Sequence, residues 1–256
     1  MRVVLIVILL VVILVVSLFV VQNFSKPSPT PTSSPVPTKT SPTPAGSTSP
    51  TPTMATPTPT STSTLFPGEV TQYQGQSLTP VSDYIDEFIQ HPDVAIMGTQ
   101  YLNESTYRLT VSGLVNNPLT LAYDDVVNNF TAYENVSSLL CVEGWSVNVL
   151  WQGVRVSDLL ERAGADLNAS TLIFSAADGY TTALPMDYIM KNNIIIAYKI
   201  NNVTLPASTG WPFILVASNQ YGYKWIMWLT EIEVSNNSGY LGYWESRGYP
   251  NDASIR

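Results

Sequence analysis

Cys141 is the only cysteine of this 256-residue chain, and His91 is its only histidine. A lone thiol has no intrachain disulfide partner, so it is either inert packing or a soft donor for a metal. With one imidazole to accompany it, the usual Cys/His zinc sets cannot be assembled. Ser-His-Asp catalysis would have to draw on His91, which precedes Pro92 at a helix end and reads as a solvated cap residue. No Gly-rich loop follows a strand, so nucleotide chemistry has no support. Asp124-Asp125 and Glu231/Glu233 read as helix N-terminal and strand-exposed charges rather than as an acid–base pair.

The thiol stands in Leu140-Cys141-Val142-Glu143-Gly144-Trp145-Ser146, with Trp151-Gln152-Gly153-Val154-Arg155 a few residues on. Ser137 to Leu140 run up to it as a strand end, and Glu143-Gly144-Trp145 break the strand immediately after. A thiolate so placed can point into a loop-lined pocket, where bound metal would keep it deprotonated. On residue type alone, a small buried core residue is the commoner outcome. Tyr180, in Asp178-Gly179-Tyr180-Thr181, is either a pocket group or a strand tyrosine with its hydroxyl at the surface. Lys224, in Tyr221-Gly222-Tyr223-Lys224-Trp225, is either an anion ligand or a snorkelling surface residue.

The elements that must position these groups are short. Apolar residues at 81, 84, 85, 88 and 89 form a helical face ended by His91-Pro92. Residues 107–112 alternate as a strand, and Asn116-Asn117-Pro118 turns the chain. Helices are expected over 121–130, over 156–163 with Gly164 as stop, and from Pro185 through Met190. Residues 171–176, 194–200, 213–217 and 230–234 read as strands. Such runs predict an α+β domain with a mainly antiparallel or mixed sheet, not a βαβ repeat.

Taken together, these segments resemble the molybdopterin-binding domain of the sulfite oxidase family, and most closely its exported sulfoxide-reductase type. In that family a cysteine followed by Val-Glu-(Gly/Ala)-Trp-Ser carries molybdenum, which would make Cys141 the metal ligand. The resemblance covers most of residues 100 to 252. It implies that Tyr180 hydrogen-bonds at the oxo and substrate position. It also implies that Thr209, Tyr221, Gly222, Tyr223 and Lys224 contact the cofactor, with Trp145 and Tyr223 walling the pocket. Lys224 would supply the charge a phosphate needs, and Gly222 would permit close approach. Ile195 to Pro206 resemble the strand and turn leading to the pterin contacts. Gly242-Tyr243-Trp244-Glu245 and Gly248-Tyr249-Pro250-Asn251-Asp252 resemble the tail of the small exported members.

Three departures stand out. Where members carry His/Asn-Gly-x-Pro-x-Arg, this chain has Thr209-Gly210-Trp211-Pro212-Phe213-Ile214. Losing such a charge-assisted contact costs about 1.5–3 kcal/mol of cofactor affinity. Val142, Glu143 and Gly144 replace the arginines that hold sulfite, so a neutral S-oxide or N-oxide fits better. Met1-Arg2-Val3 shows no twin-arginine export signal.

The rest of the chain speaks of export. Val3 to Val21 form nineteen nearly wholly apolar residues behind Arg2. That length just crosses a hydrocarbon core of roughly 30 Å and orients the remainder outward. An uncleaved signal anchor over 1–24 is expected in preference to a cleaved signal peptide. Of the forty residues from Ser25 to Thr64, eleven are Pro and twenty-two are Ser or Thr, the composition of an extended spacer. The domain from 65 to 256 holds all nineteen acids against eight of the eleven Lys and Arg. That balance argues against nucleic acid and against an anionic membrane surface as partners. Sequons at Asn23, Asn103, Asn129, Asn135, Asn168, Asn202 and Asn236 mark candidate glycan acceptors.

The expectation is therefore a membrane-anchored extracytoplasmic oxidoreductase that uses molybdopterin for oxygen-atom transfer. Its partners would be a small oxo donor or acceptor and a separate redox protein, since no Cys-x-x-Cys-His haem motif is present. The alternative is a cofactor-free glycosylated binding module of the same fold. A weaker third reading is a structural stalk.

Overall fold

The computed structural model describes residues 63–91 and 95–255. The expected anchor, nearly all of the spacer and the Asn23 sequon lie outside the described residues. Chain contacts separate Met1–Thr58 from a second unit, Pro59–Arg256, which holds everything that follows. Among the described residues, no helix is long and apolar enough to cross a membrane.

Twelve strands and four α-helices alternate along the described residues. A small ribbon pairs β1 (Gln72–Tyr73) with β2 (Gln76–Ser77). The first large sheet is built on β5 (Tyr133–Leu140), β6 (Ser146–Arg155), β9 (Ile195–Ile200), β10 (Val203–Thr204) and β11 (Ile214–Val216). β9 is its hub, antiparallel to β6, β10 and β11. The second sheet runs in the order β4 (Leu119–Leu121), β3 (Leu109–Gly113), β12 (Leu229–Ser235), β7 (Thr171–Ala176), β8 (Thr181–Pro185). Its only parallel pair is β3 with β12. The mixed, mainly antiparallel expectation therefore describes the sheets.

The helices follow the apolar periodicity. α1 (Val81–Gln90) buries Val81, Tyr84 and Phe88, and α3 (Val156–Ala163) buries Val156, Leu159, Leu160 and Ala163. Gly164, in the left-handed region at φ 62°, ends α3 where the sequence places its stop. α2 is Tyr123–Asn129, and Asp125 accepts a 2.9 Å hydrogen bond from the Ala122 N–H at its start. α4 (Met186–Asn192) follows Pro185 and ends on Asn193 in the left-handed region.

The long β5–β6 hairpin, which residue patterning does not announce as a unit, is the element that carries the site. Its register runs unbroken from Tyr133↔Gly153 to Leu140↔Ser146. The hairpin lies flush on β9 because residue 153 is glycine. A Cβ there would stand 2.0 Å from the Ile196 carbonyl oxygen, and the register shifts at that point. Buried Trp151, Val154, Ile196, Ile200, Leu172, Phe174 and Ile232 belong to the continuous core.

Candidate active site

Cys141 is the first residue after β5 and opens the tight turn of the hairpin. Its N–H donates to the Trp145 carbonyl at 2.9 Å, and its own carbonyl accepts from Gly144 N–H at 3.1 Å. Gly144 takes φ 97°, a conformation that suits glycine. Cys141 is 8% exposed, and it borders a cleft. Tyr180, Gly222, Tyr223, Met227 and Trp244 also line that cleft, and Glu143 stands at its lip. Burial pushes the thiol pKa up, and the Glu143 charge adds to this against backbone donors that oppose it. Without a bound cation the sulfur stays protonated at neutral pH.

The loop Tyr221–Lys224 is pinned to the hairpin tip by a parallel bridge between Leu140 and Tyr221. The close approach that Gly222 permits is to protein. A Cβ there would meet Leu139 and the Leu140 carbonyl at 3.3 Å and the Cys141 Cα at 3.6 Å. Tyr221 is half-buried and donates its N–H to the Ala253 carbonyl. Tyr223 lines the cleft, and its hydroxyl donates to the Pro250 carbonyl at 2.9 Å. Burial raises its pKa to about 12.

Tyr180 is buried and its hydroxyl donates to the Tyr223 carbonyl at 2.6 Å. Burial, then the Glu245 charge, keeps that phenol protonated far beyond its usual range. Asp178 fixes the tyrosine's backbone. One carboxylate oxygen accepts the Tyr180 N–H and the other the Ile96 N–H, both at 2.9 Å.

Lys224 does not face the cleft, which corrects the expectation of a phosphate-directed cation. It is wholly buried, and its three ammonium hydrogens go to Glu245 at 2.5 Å, the Ala183 carbonyl at 3.0 Å and Asn251 at 3.1 Å. Burial pulls its pKa down and the Glu245 carboxylate pushes it back. Thr209 is also outside the cleft lining, fully buried with its hydroxyl on the Pro206 carbonyl. Ile214 is a core residue of β11 opposite Ala197. Trp145 packs against Tyr84 and His91 and is not among the residues lining the cleft, and its indole N–H has no partner among the described residues.

His91 caps α1 through its backbone as expected, and its ring also reaches the site. Its Nδ1 lies 3.3 Å from Glu143, whose same oxygen lies 3.7 Å from the Cys141 sulfur. Glu143, expected beside the thiol, lines the cleft, and Asp178, Met227, Trp244 and Tyr249 are lining residues that the chemical reading of the sequence did not single out. The aromatic density of the tail was the one available signal for the last two.

The Oxidoreductase molybdopterin binding domain model matches residues 96–244, more than half of the chain. The chain belongs to this family. It is 35% identical over 150 residues to the uncharacterized oxidoreductase YuiH of Bacillus subtilis, covering 58% of this chain and 75% of that protein. It is 26% identical over 186 residues to the protein-methionine-sulfoxide reductase catalytic subunit MsrP of Gluconobacter oxydans, covering 66% of this chain and 59% of MsrP. The sulfane dehydrogenase SoxCD of Paracoccus pantotrophus shares the fold, with a TM-score of 0.52 at 23% identity. That alignment covers 57% of this chain and 46% of the SoxCD chain.

The residues present fit the metal end of a molybdenum–pterin group. A soft donor, Cys141, borders a cleft that Tyr180 and Tyr223 also line. Among the described residues no three His, Cys, Asp or Glu converge, so a metal on Cys141 would take its other ligands from the pterin sulfurs. The phosphate end is different. The charged residues lining the cleft are Glu143 and Asp178, which leaves an anion to main-chain N–H groups and hydroxyls.

Proposed function

We propose that the chain is an extracytoplasmic oxidoreductase that moves an oxygen atom to or from a small uncharged substrate, reducing S-oxides or N-oxides in preference to oxidising sulfite. The single observation behind this reading is a cysteine bordering a cleft walled by Tyr180, Tyr223, Trp244 and Tyr249, with no Lys or Arg among the described residues of its lining. The similarity to MsrP, named a protein-methionine-sulfoxide reductase, supports the same direction.

When bound, the molybdenum–pterin group supplies a two-electron couple and an exchangeable oxygen. Cys141 holds it through sulfur. Tyr180, kept neutral by burial, exchanges its Tyr223 acceptor for the substrate oxygen and orients it. The aromatic walls exclude water, which strengthens that hydrogen bond. Sulfoxide reduction consumes two electrons and two protons and releases water, so a separate electron-donating protein is required. An N-terminal anchor and Pro/Ser/Thr spacer would hold the domain within reach of such a partner at a membrane.

Five of the six sequons in the described residues are exposed, at Asn103, Asn129, Asn168, Asn202 and Asn236. Asn135 sits half-buried in β5 with its amide on Ser218, so glycans would go to the other five.

The test is turnover of dimethyl sulfoxide, trimethylamine N-oxide and sulfite by protein from a host that makes the cofactor, with a viologen or ferricyanide as electron partner. Oxide reduction exceeding sulfite oxidation supports the reading. Sulfite oxidation alone, or no turnover by protein containing molybdenum, contradicts it. A cofactor-free module of the same fold is the second reading, favoured by the burial of Ile214 and the diversion of Lys224 to Glu245.

A further inference from the structure

After β12 the chain returns over residues 240–255 and lends the cleft part of its wall. Trp244 and Tyr249 line the same space as Cys141. Their rings belong to a closed circuit. Tyr180 meets Tyr243 at 5.6 Å between centroids, and Tyr243–Trp244, Trp244–Tyr249 and Tyr249–Tyr223 each follow at 5.3 Å. The Tyr180 hydroxyl on the Tyr223 carbonyl joins the two ends. Outside the circuit, the Arg247 guanidinium lies 3.5 Å from the centre of the Tyr243 ring.

What holds this wall is buried beneath it. Lys224, two residues past Gly222, reaches Glu245 and Asn251 of the returning segment, and Thr182 of β8 donates to the same Glu245 oxygen at 2.7 Å. Gly242 lets the segment lie on β8, since a Cβ there would stand 2.3 Å from the Thr181 carbonyl oxygen. The Lys224 ammonium fastens the tail.

We propose that Trp244 and Tyr249 are specificity-determining residues that set the size and charge of molecules reaching Cys141, and that the Lys224–Glu245 pair is the positioning element that fixes them. Aromatic faces are electron-rich, and Glu143 adds a negative charge at the lip. The wall therefore admits compact uncharged or cationic molecules and turns away anions and bulky groups. As a statement about substrates this rests on the oxygen-transfer reading; as a statement about access to the thiol it stands alone.

The full chain, made in cells grown without molybdate, is treated with methanethiosulfonates, which form a disulfide with Cys141 and release methanesulfinate. Four reagents differ in their heads: methyl, benzhydryl, and a matched pair carrying trimethylammonium or sulfonate. We expect the cationic reagent to react about tenfold faster than the anionic one, and Trp244→Ala and Tyr249→Ala to raise the benzhydryl-to-methyl rate ratio about tenfold. Trp244→Phe, which keeps a ring, gives a smaller rise. Glu245→Gln and the milder Asn251→Ala shift the ratio in the same direction, because the wall loosens. Near-UV circular dichroism identifies variants that stay folded.

Ratios unchanged in Tyr249→Ala and Trp244→Phe overturn the wall. Unchanged ratios in Glu245→Gln and Asn251→Ala overturn the positioning role, and an anionic reagent that reacts as fast as the cationic one overturns the charge preference. In molybdenum-loaded protein, Trp244→Ala should raise kcat/KM for a diaryl sulfoxide relative to dimethyl sulfoxide. Absence of all sulfoxide turnover, with the labelling ratios still shifted, would sink the oxygen-transfer reading and leave the wall standing.

Discussion

At the scale of single residues, the account turns on two side chains whose chemistry is set by burial. Without a metal Cys141 is a neutral thiol near pH 7, since burial and then the Glu143 charge favour that form against opposing backbone donors. Alkylation of the molybdenum-free protein by iodoacetamide should therefore still be accelerating with pH above the ordinary thiol range, and a profile that levels off there would argue for an activated thiolate. In the proposed reaction Tyr180 is the matching donor. Tyr180→Phe should lower kcat for oxide reduction by about 10²–10³ with little change in molybdenum content, the loss seen when one donor to a reacting oxygen is removed. The segments around them single out both residues in the sequence, and the fold brings both to the lining of one cleft. Lys224 was legible as a lysine between aromatics but not as a buried one, because its partner Glu245 lies 21 residues further on. Nothing local tells an ammonium which carboxylate it will meet.

At the scale of elements, the hairpin tip, the Gly222 turn and the tail act as one unit held by the Lys224–Glu245 pair. Lys224→Met leaves Glu245 buried without its cation and should cost about 3–5 kcal/mol in denaturant unfolding. The double variant Lys224→Met/Glu245→Leu should recover much of that, because the uncompensated charge is gone. Equal losses in the single and double variants would show that packing, not the pair, holds the tail. The helices were readable from 3.6-residue periodicity and stop signals, and their ends shift by a residue or two. The β5–β6 hairpin was harder to see. β5 mixes Glu134, Asn135, Ser137 and Ser138 with apolar residues, and its pairing with β6, not its own composition, makes it a strand.

At the scale of the whole molecule, the two sheets join segments far apart in sequence, as β3 and β12 show by running parallel with Thr110 beside Glu231. Composition suggests mixed sheets but cannot choose such partners. The tyrosines distributed through this core give the fold a pH signature. Burial raises Tyr123 and Tyr223 to about 12, and Tyr84, Tyr107 and Tyr180 beyond that. The folded state thus keeps protons that the unfolded chain gives up near pH 10, so stability is full below that value and falls as pH rises through it. Thermal scans should show Tm declining above about pH 10, with the buried tyrosines, followed by their own side-chain resonances, ionising together with unfolding. Ionisation of those buried tyrosines well before unfolding would place their hydroxyls in solvent.

The most direct measurement is the molybdenum content of the full chain and of Cys141→Ser, both purified from a host that makes the cofactor. The account predicts stoichiometric molybdenum in the first and its loss in a folded second. Molybdenum absent from both, or equal in both, would contradict the assignment of this sulfur as the atom that holds the metal.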